Sequence, residues 1–191
     1  MTMTRMINGV DVDRLSETID AIKRDPEIAN FRFRASNHWE SGGHNMTTIH
    51  DFFGAKQNIA HRKDFHIAAD EPDLLLGSDL GANPVELALS ALAGCLTTTL
   101  VYHAAARGIN VRAVESELEG ELDLRGFLGM SDTVRRGYKN IDVKMRVDAD
   151  ASQDVLDELI ELAKKLSPVF DIISNPVNVL VTGKPMISSV H

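Results

Sequence analysis

The sequence predicts an α+β fold, and three observations support this prediction. A long apolar helix is expected over residues 85–106, and two segments that alternate apolar with charged residues follow it. A second helix with one apolar face comes after these strands, and three short strand-like segments precede the long helix. The strands follow one another without intervening helices, which is typical of the antiparallel sheets of an α+β fold.

Composition and charge restrict the functional classes. The chain has 191 residues, of which 43% are hydrophobic and 25% charged, as expected for one globular domain. Its 28 acidic and 20 basic residues give a net charge of -8, which disfavours a nucleic-acid partner. The single cysteine excludes an intrachain disulfide and fits a reducing compartment. The N-terminus lacks the apolar core of a signal peptide, and no apolar run reaches the ~18 residues that span a bilayer. We therefore expect a cytoplasmic protein that binds neither nucleic acid nor membrane.

Residues 1–29 form a predicted N-terminal helical arm, distinct from a main domain over residues 30–191. A polar amphipathic helix is expected from Asp11 to Ala29, with Leu15 and Ile19 on its apolar side. Such an arm either docks on a partner subunit or caps the fold of its own chain, and the sequence favours neither.

Three short strands are expected in the first part of the main domain. Alternating or β-branched residues mark these strands, which cover residues 31–35, 46–49 and 64–67. Ser41–Gly43 is typical of a turn between the first two. Together the three segments predict an antiparallel meander.

The most informative segment begins at Asn83. Asn83 can cap a helix, and Pro84 suits its first position, where no amide hydrogen is needed. Nearly every residue from 85 to 106 is apolar or small, and Gly108 is a suitable C-terminal cap. A helix that is apolar on all sides should be buried in the centre of the fold. Thr97–Thr99 make it too polar for a membrane span.

Two amphipathic strands are expected at residues 114–124 and 141–147. The acidic residues of the first and the basic residues of the second can pair across an antiparallel sheet, which predicts a solvated sheet face. The segment between them, residues 125–140, is too long for a hairpin turn, and loops of this length are usually functional or disordered.

The remaining elements are a helix and a strand. An Asp-x-x-Gln capping pattern starts the helix at Asp150, and Pro168 stops it. A short turn and a last strand from Val177 to Thr182 complete the predicted fold.

Cys95 is the best candidate for a reactive centre. A cysteine within an apolar helix is more often inert packing than a nucleophile. Reactivity requires a nearby cation or helix N-terminus that stabilises the thiolate, and Cys95 lies about three turns inside its helix. Tyr102 shares the face of Cys95 two turns further on, whereas His103 is turned away from it. The inert and the reactive interpretations both stay open.

The seven histidines do not suggest a metal site. His38, His44 and His50 recur at six-residue spacing, but Gly42 and Gly43 interrupt any continuous strand face between them. The sequence contains no HExxH motif and no glycine-rich nucleotide-binding motif. We therefore predict no metal and no cofactor.

The segment NPVELALSALAGCL at residues 83–96 resembles the OsmC/Ohr family. Members share the Asn-Pro opening, a Glu-Leu step and an Ala-Gly-Cys near the middle of a long helix, and the order of predicted elements agrees over residues 30–183. The resemblance implies curved antiparallel sheets around a long central helix in an intertwined homodimer, with active sites at the subunit interface. Active members reduce organic hydroperoxides with a first cysteine, corresponding to Cys95, and a second that resolves its sulfenic acid.

The sequence departs from the family pattern at its other catalytic positions. The family's second cysteine begins a Cys-Pro-Val turn, and this chain has Ser167 there, which resembles a subgroup lacking the second cysteine. The activating glutamate directly follows the Asn-Pro in the family, where this chain has Val85 with Glu86 next to it. The activating arginine comes from the N-terminal strands or their loop, and His44 lies in that region.

The resemblance supports two main functions. The first is a thiol-dependent organic hydroperoxide reductase of oxidative-stress defence, a one-cysteine variant whose Cys95 sulfenic acid is reduced by an external thiol. The alternative is a non-catalytic dimer that binds a hydrophobic or acyl small molecule at the subunit interface, with Cys95 structural. A different thiol-dependent reaction in the same pocket is a third interpretation, so enzymatic activity stays open. In each case the predicted pocket residues are Tyr102, Arg125, Phe127 and Arg135.

Overall fold

A computed structural model describes residues 4–185, so the outer ends of the predicted arm and domain, residues 1–3 and 186–191, lie outside the described residues. The chain begins with a small hairpin of strands β1 (Met6–Ile7) and β2 (Val10–Asp11). Helix α1 (Val12–Arg24) follows, and then a 3-10 turn, Pro26–Ala29. The predicted helix is therefore shorter, because Asp25 leaves helical geometry and caps the separate turn that Pro26 begins.

The arm contacts its own chain. Val12 is buried, and α1 lies against helix α2 (Pro84–Ala106). The side chain of Asn8 donates a hydrogen bond to the carbonyl of Ile109 (2.9 Å) and accepts one from the amide of Val111 (2.8 Å). Whether the arm also reaches a partner subunit stays a prediction.

The first sheet contains four antiparallel strands. They are β3 (Arg32–Phe33), β4 (Ser36–Ser41), β5 (His44–Gly54) and β6 (Gln57–Ala69), and β5 pairs with the other three. The predicted antiparallel meander is confirmed, and Gly42 takes the positive φ of 54° that its turn requires. Strand β4 was not predicted, and β5 and β6 extend beyond their predicted limits because backbone pairing continues through polar residues.

One face of this sheet is aromatic and open in the single chain. Phe31, Phe33, Phe52, His61 and Phe65 form a continuous group, with neighbouring ring centroids between 5.1 and 6.1 Å apart. Phe33 is 76% exposed and Phe65 is 45% exposed. Contiguous apolar surface of this kind is typical of an interaction site.

Helix α2 begins as predicted. Asn83 accepts a hydrogen bond from the amide of Val85, and the Glu86 carboxylate accepts one from the amide of Asn83, which completes a capping box. The helix is covered along one side only, and its buried residues are Leu92, Leu96, Leu100, Ala104 and Ala105. By length and composition α2 would also suffice to cross a membrane, a property that core helices of soluble proteins share.

The core joins α2 to helix α4 (Gln153–Leu166). Leu100 and Ala104 of α2 meet Leu159 and Ala163 of α4, and all four are 0% exposed. Apolar residues of the second sheet pack against this cluster, among them Val114, Met145 and Val147. The core is therefore a layer of helices on the apolar face of that sheet.

The second sheet is a hairpin of β7 (Val111–Glu121) and β8 (Asn140–Ala149). Its polar face carries the predicted charge pairs, since Arg146 donates hydrogen bonds to Glu115 (3.1 Å) and Glu117 (2.9 Å). The prediction of paired strands with opposite charges is confirmed. The loop between them contains a single helical turn, α3 (Leu124–Phe127).

The C-terminal part differs from the prediction in two places. Helix α4 begins at Gln153, because Asp150 is bound to Arg112 and Ser152 occupies the N-cap position. After helix α5 (Pro168–Ser174), the predicted strand Val177–Thr182 is not formed. Strand geometry needs a neighbouring strand to bind its backbone groups, and none lies beside this segment within the described residues.

Candidate active site

Cys95 lies in the middle of α2 and is half-buried. The hydroxyl of Thr99 donates a hydrogen bond to the carbonyl of Cys95 at 2.8 Å. Its neighbours towards solvent are small and exposed: Ala91, Gly94 and Thr98. Cys95 thus stands at the boundary between the core and the open side of α2.

Ser167 joins α4 to α5 and is 1% exposed. Its hydroxyl accepts a hydrogen bond from the amide of Phe170 (3.2 Å), and its own amide donates to the carbonyl of Ala163 (2.9 Å). The residue therefore ends one helix and caps the next, and both helices pack against α2. The resemblance to the family predicts that Ser167 lies within a few ångströms of Cys95, where a resolving thiol would be, and this stays a prediction.

Glu86 is engaged at the start of α2. Its carboxylate closes the capping box on Asn83 at 2.9 Å, while the Asn83 amide group donates to Glu71. Nine residues separate Glu86 from Cys95, which is roughly 13 Å along the helix axis. Glu86 therefore stabilises the helix terminus and lies well away from Cys95 in its own chain; its catalytic role stays a prediction.

His44 lies at the start of β5 and faces the buried residue Asp70. Burial alone would raise the pKa of Asp70. Hydrogen bonds from the amides of Glu71, Leu80 and Ser78, together with the charge of His44, instead hold it below its ordinary value. His44 thus lies near the loop before α2, and its role as a substitute for the activating arginine stays a prediction.

A cavity of about 460 Å³ lies between α2, β8 and α5. Its lining includes Leu92, Arg135, Tyr138 and Phe170. Leu92 is one turn before Cys95 on α2, so this cavity is next to the predicted reactive region. Arg135 is the one predicted pocket residue at this cavity, and it brings a cation to it.

The other predicted pocket residues lie elsewhere. Phe127 is 69% exposed and lines two further cavities near the start of α2. Arg125 forms an ion pair with Asp123 (2.6 Å), which holds the pKa of Asp123 well below its usual range. Tyr102 is 49% exposed on the open side of α2. A single chain therefore does not gather these four residues at one place.

Two groups of residues that line the cavities near α2 were not predicted from the sequence as site residues. They are the three consecutive leucines Leu74–Leu76 and the cation Arg136. A leucine run among turn-forming residues was the available signal for the first group, because exposed loops rarely carry three large apolar residues together.

Solved structures with a similar fold cover most of the chain. An OsmC-like protein from Mycoplasma pneumoniae matches with a TM-score of 0.59 and 16% identity, over 76% of this chain and 89% of that one. A proposed osmotic-stress-induced and detoxification-response protein from Psychrobacter arcticus matches with a TM-score of 0.53 and 14% identity, over 72% and 85% of the two chains. An OsmC-like protein of unknown function from Vibrio cholerae gives a TM-score of 0.52 and 12% identity, over 73% and 92%. At these identities the likeness establishes the fold.

The sequence comparison agrees with the fold. No curated protein matches the chain significantly. The family model described as OsmC-like protein matches residues 77–182, which is more than half of the chain and includes α2, both strands of the second sheet and the two last helices. The chain therefore belongs to the OsmC-like protein family.

Proposed function

We propose that this chain is a cytoplasmic, thiol-dependent organic hydroperoxide reductase that works with Cys95 alone. The observation that carries the proposal is the position of Cys95: it is half-buried in α2, and the small residues Ala91, Gly94 and Thr98 leave space above it. A thiol sealed among aliphatic side chains would be inert, whereas a partly exposed thiol can meet a peroxide. Membership of the OsmC-like family and the detoxification role suggested for the Psychrobacter arcticus neighbour support the same chemistry.

The proposed reaction has two steps. In the first, the Cys95 thiolate attacks the terminal oxygen of the hydroperoxide, so that an S–O bond forms and the O–O bond breaks. The alkoxide takes up a proton and leaves as an alcohol, and Cys95 becomes a sulfenic acid. In the second, two equivalents of an external thiol reduce the sulfenic acid through a mixed disulfide, releasing water and an external disulfide and restoring Cys95.

An external thiol is required because the chain has no second cysteine. Ser167, at the family's resolving position, cannot form a disulfide with the sulfenic acid. Arg135 lines the cavity next to this part of α2. A cation near the thiol stabilises its reactive thiolate form.

A homodimer is part of the proposal. The open side of α2, the aromatic face of the first sheet and the unpaired segment Val177–Val181 all expose apolar residues in the single chain. Val181 is 85% exposed and Phe33 is 76% exposed. Burial of such surface favours association, at about 25 cal/mol per Å². A second copy would cover these surfaces and bring Cys95 to the subunit interface.

Peroxide treatment followed by mass spectrometry tests the catalytic proposal. We expect low concentrations of cumene hydroperoxide to convert Cys95 to the sulfenic acid, trapped by dimedone, and a dithiol to reverse the oxidation. Peroxide consumption should stop in the Cys95→Ser variant. An unmodified Cys95 at a large excess of peroxide would refute the catalytic proposal.

Light scattering tests the dimer. We expect the mass of two chains for the wild type. A Thr98→Arg change on the open side of α2 should give a folded monomer, because it places a charge on the contact surface. A monomeric wild type would contradict the dimer.

A non-catalytic binding protein is the second candidate, and the 460 Å³ cavity favours it. Its size is within the usual range of ligand cavities, roughly 300–1,000 Å³. Its lining is mixed, with apolar Leu92 and Phe170 beside polar Arg135 and Tyr138. If peroxide leaves Cys95 unchanged while an apolar acid binds to the intact protein and Arg135→Gln weakens that binding, this second function is the correct one.

A further inference from the structure

We propose that a second site, at the N-terminal end of α2, binds a single-chain anionic amphiphile. A cavity of about 520 Å³ and an adjoining one of about 240 Å³ share Glu71, Leu75, Leu124 and Phe127. We call the two cavities together the leucine cleft. Neither is lined by Cys95, so binding here does not depend on the proposed reaction.

The larger part of the leucine cleft is apolar and open. Leu74 is 91% exposed and Leu76 is 94% exposed on one side, and Phe127 and Leu128 are 69% and 62% exposed on the other. Two apolar walls that face each other across an open cavity leave surface that an unbranched hydrocarbon chain would remove from water.

The loop that carries Leu74–Leu76 is held in place by hydrogen bonds to Asp70. The buried carboxylate of Asp70 accepts hydrogen bonds from the amides of Glu71 (2.8 Å), Ser78 (3.2 Å) and Leu80 (3.2 Å). Leu76 has a left-handed φ of 65°, an unfavourable conformation for a large side chain. The loop therefore keeps its leucines in water at a conformational cost, which is typical of a binding surface.

The smaller part of the leucine cleft supplies a cation. Arg136 lines it beside Val85 and Leu122, and it has no ion-pair partner within the described residues. Its backbone is fixed by Gly126, since a Cβ at Gly126 would lie 2.5 Å from the Arg135 carbonyl and 3.0 Å from the Arg136 Cα. A guanidinium beside an apolar cavity is suited to a carboxylate or phosphate head group.

Glu71 lines the same cleft but does not form an ion pair with Arg136. Its carboxylate accepts a hydrogen bond from the Asn83 side chain and is therefore tied to the helix cap. The guanidinium of Arg136 forms no ion pair with Glu71 or with another acid among the described residues, so it can pair with an anionic ligand. An alkyl chain among the leucines with its anionic head at Arg136 meets both requirements.

Calorimetric titration of the intact protein with dodecanoate, below its micellar concentration, tests the proposal. Dodecyl phosphate serves as the second anionic probe, and dodecanol and dodecyltrimethylammonium as neutral and cationic ones. We expect both anions to bind at least tenfold more tightly than the other two, since a charge-assisted hydrogen bond contributes about this factor. A difference between carboxylate and phosphate would identify the source of the head group.

Matched variants locate the site. Arg136→Gln should weaken dodecanoate binding about tenfold and leave dodecanol unchanged, while Arg135→Gln, in the other cavity, should have no effect. Leu76→Asn should weaken all four probes without loss of stability, because asparagine tolerates a left-handed φ. Trp39, whose indole donates to the carbonyl of Gly42 in the cavity wall, should change its fluorescence.

Three results would overturn the proposal. They are the absence of binding heat for either anion, equal affinity for dodecanol and dodecanoate, and equal effects of Arg135→Gln and Arg136→Gln. Absence of binding by an intact dimer would overturn it equally, because the leucine cleft would then be covered by the second copy. None of these results would alter the peroxide assay on Cys95, so failure of this site is distinguishable from failure of the proposed reaction.

Discussion

A Ser167→Cys change should give this protein the resolving thiol that it lacks. Ser167 is 1% exposed, and its hydroxyl caps α5 by accepting the Phe170 amide at 3.2 Å. A thiol is a weak acceptor, so the cap is largely lost, and loss of a serine cap costs about 1 kcal/mol of the free energy of unfolding. The variant should therefore fold with slightly reduced stability, since a sulfur is only modestly larger than the oxygen it replaces.

The functional effect should be much larger than the effect on stability. After one equivalent of cumene hydroperoxide, the Cys95 sulfenic acid should condense with the introduced thiol and form an intrachain disulfide. The mass falls by two hydrogens relative to the reduced variant, and peptide mapping identifies the bridge. Turnover with a dithiol reductant should then rise, because the disulfide protects Cys95 from over-oxidation.

Two control variants separate the possible causes. Ser167→Ala removes the cap without adding a thiol and should match the stability loss alone. Ser174→Cys places a thiol at the far end of α5, where it lines the 460 Å³ cavity, and should form no bridge with Cys95. If Ser167→Cys gives only a sulfinic acid at Cys95, or if Ser174→Cys is bridged equally well, the placement of Ser167 beside Cys95 is wrong.

Three further predictions concern the fold. In urea denaturation, Leu100→Ala should lower the free energy of unfolding by about 2–5 kcal/mol, because Leu100 is 0% exposed. Leu74→Ala should change it by less than about 0.5 kcal/mol, because Leu74 is 91% exposed. Gly126→Ala should lower the free energy of unfolding by about 1–3 kcal/mol, because the added Cβ would meet Arg135. Gly137→Ala should leave it unchanged, because nothing lies within 4 Å of the added Cβ. Equal melting temperatures of the two variants would contradict the close contact with Arg135. The lowered pKa of Asp70 stabilises the fold above about pH 4. This stabilisation is lost as the pH falls through the pKa of Asp70 in the folded state. The free energy of unfolding of the wild type should therefore fall more steeply with acid than that of Asp70→Asn.

The sequence predicted best those elements whose signals are local. The capping box at Asn83, the long helix after it and the charge pairs of β7 and β8 all follow from residues close together in sequence or directly opposite in register. Strand β4 was missed because Ser36–Ser41 is polar apart from Trp39 and exposed throughout, so no alternation marks it. Its pairing depends on β5, which a local pattern cannot express.

The candidate site was less accessible to sequence analysis because its parts come from distant segments. Cys95 and Ser167 were identified through their motif contexts, and the structure places both on helices that pack together. The Asp70 network joins residues 44, 70 and 78–80, a proximity that no periodicity encodes. Arg135 and Arg136 are adjacent in sequence, yet they line different cavities.

The unformed strand at Val177–Thr182 and the half-covered helix α2 have one physical explanation. The sequence gives α2 apolar or small residues on nearly all sides, but the single chain buries only the side that meets α4, α5 and β7. The alternating segment after α5 likewise lacks a strand to bind, although Val179 and Leu180 are 72% and 85% exposed. Both features are costly in an isolated chain and favourable in an assembly, since an unpaired strand binds an open sheet edge and an apolar helix face binds an apolar sheet face. The aromatic face that ends at Phe33 is such a surface. The sequence therefore contains more residues suited to burial than the single chain buries. This excess supports the proposal that Cys95 lies at an interface between two copies.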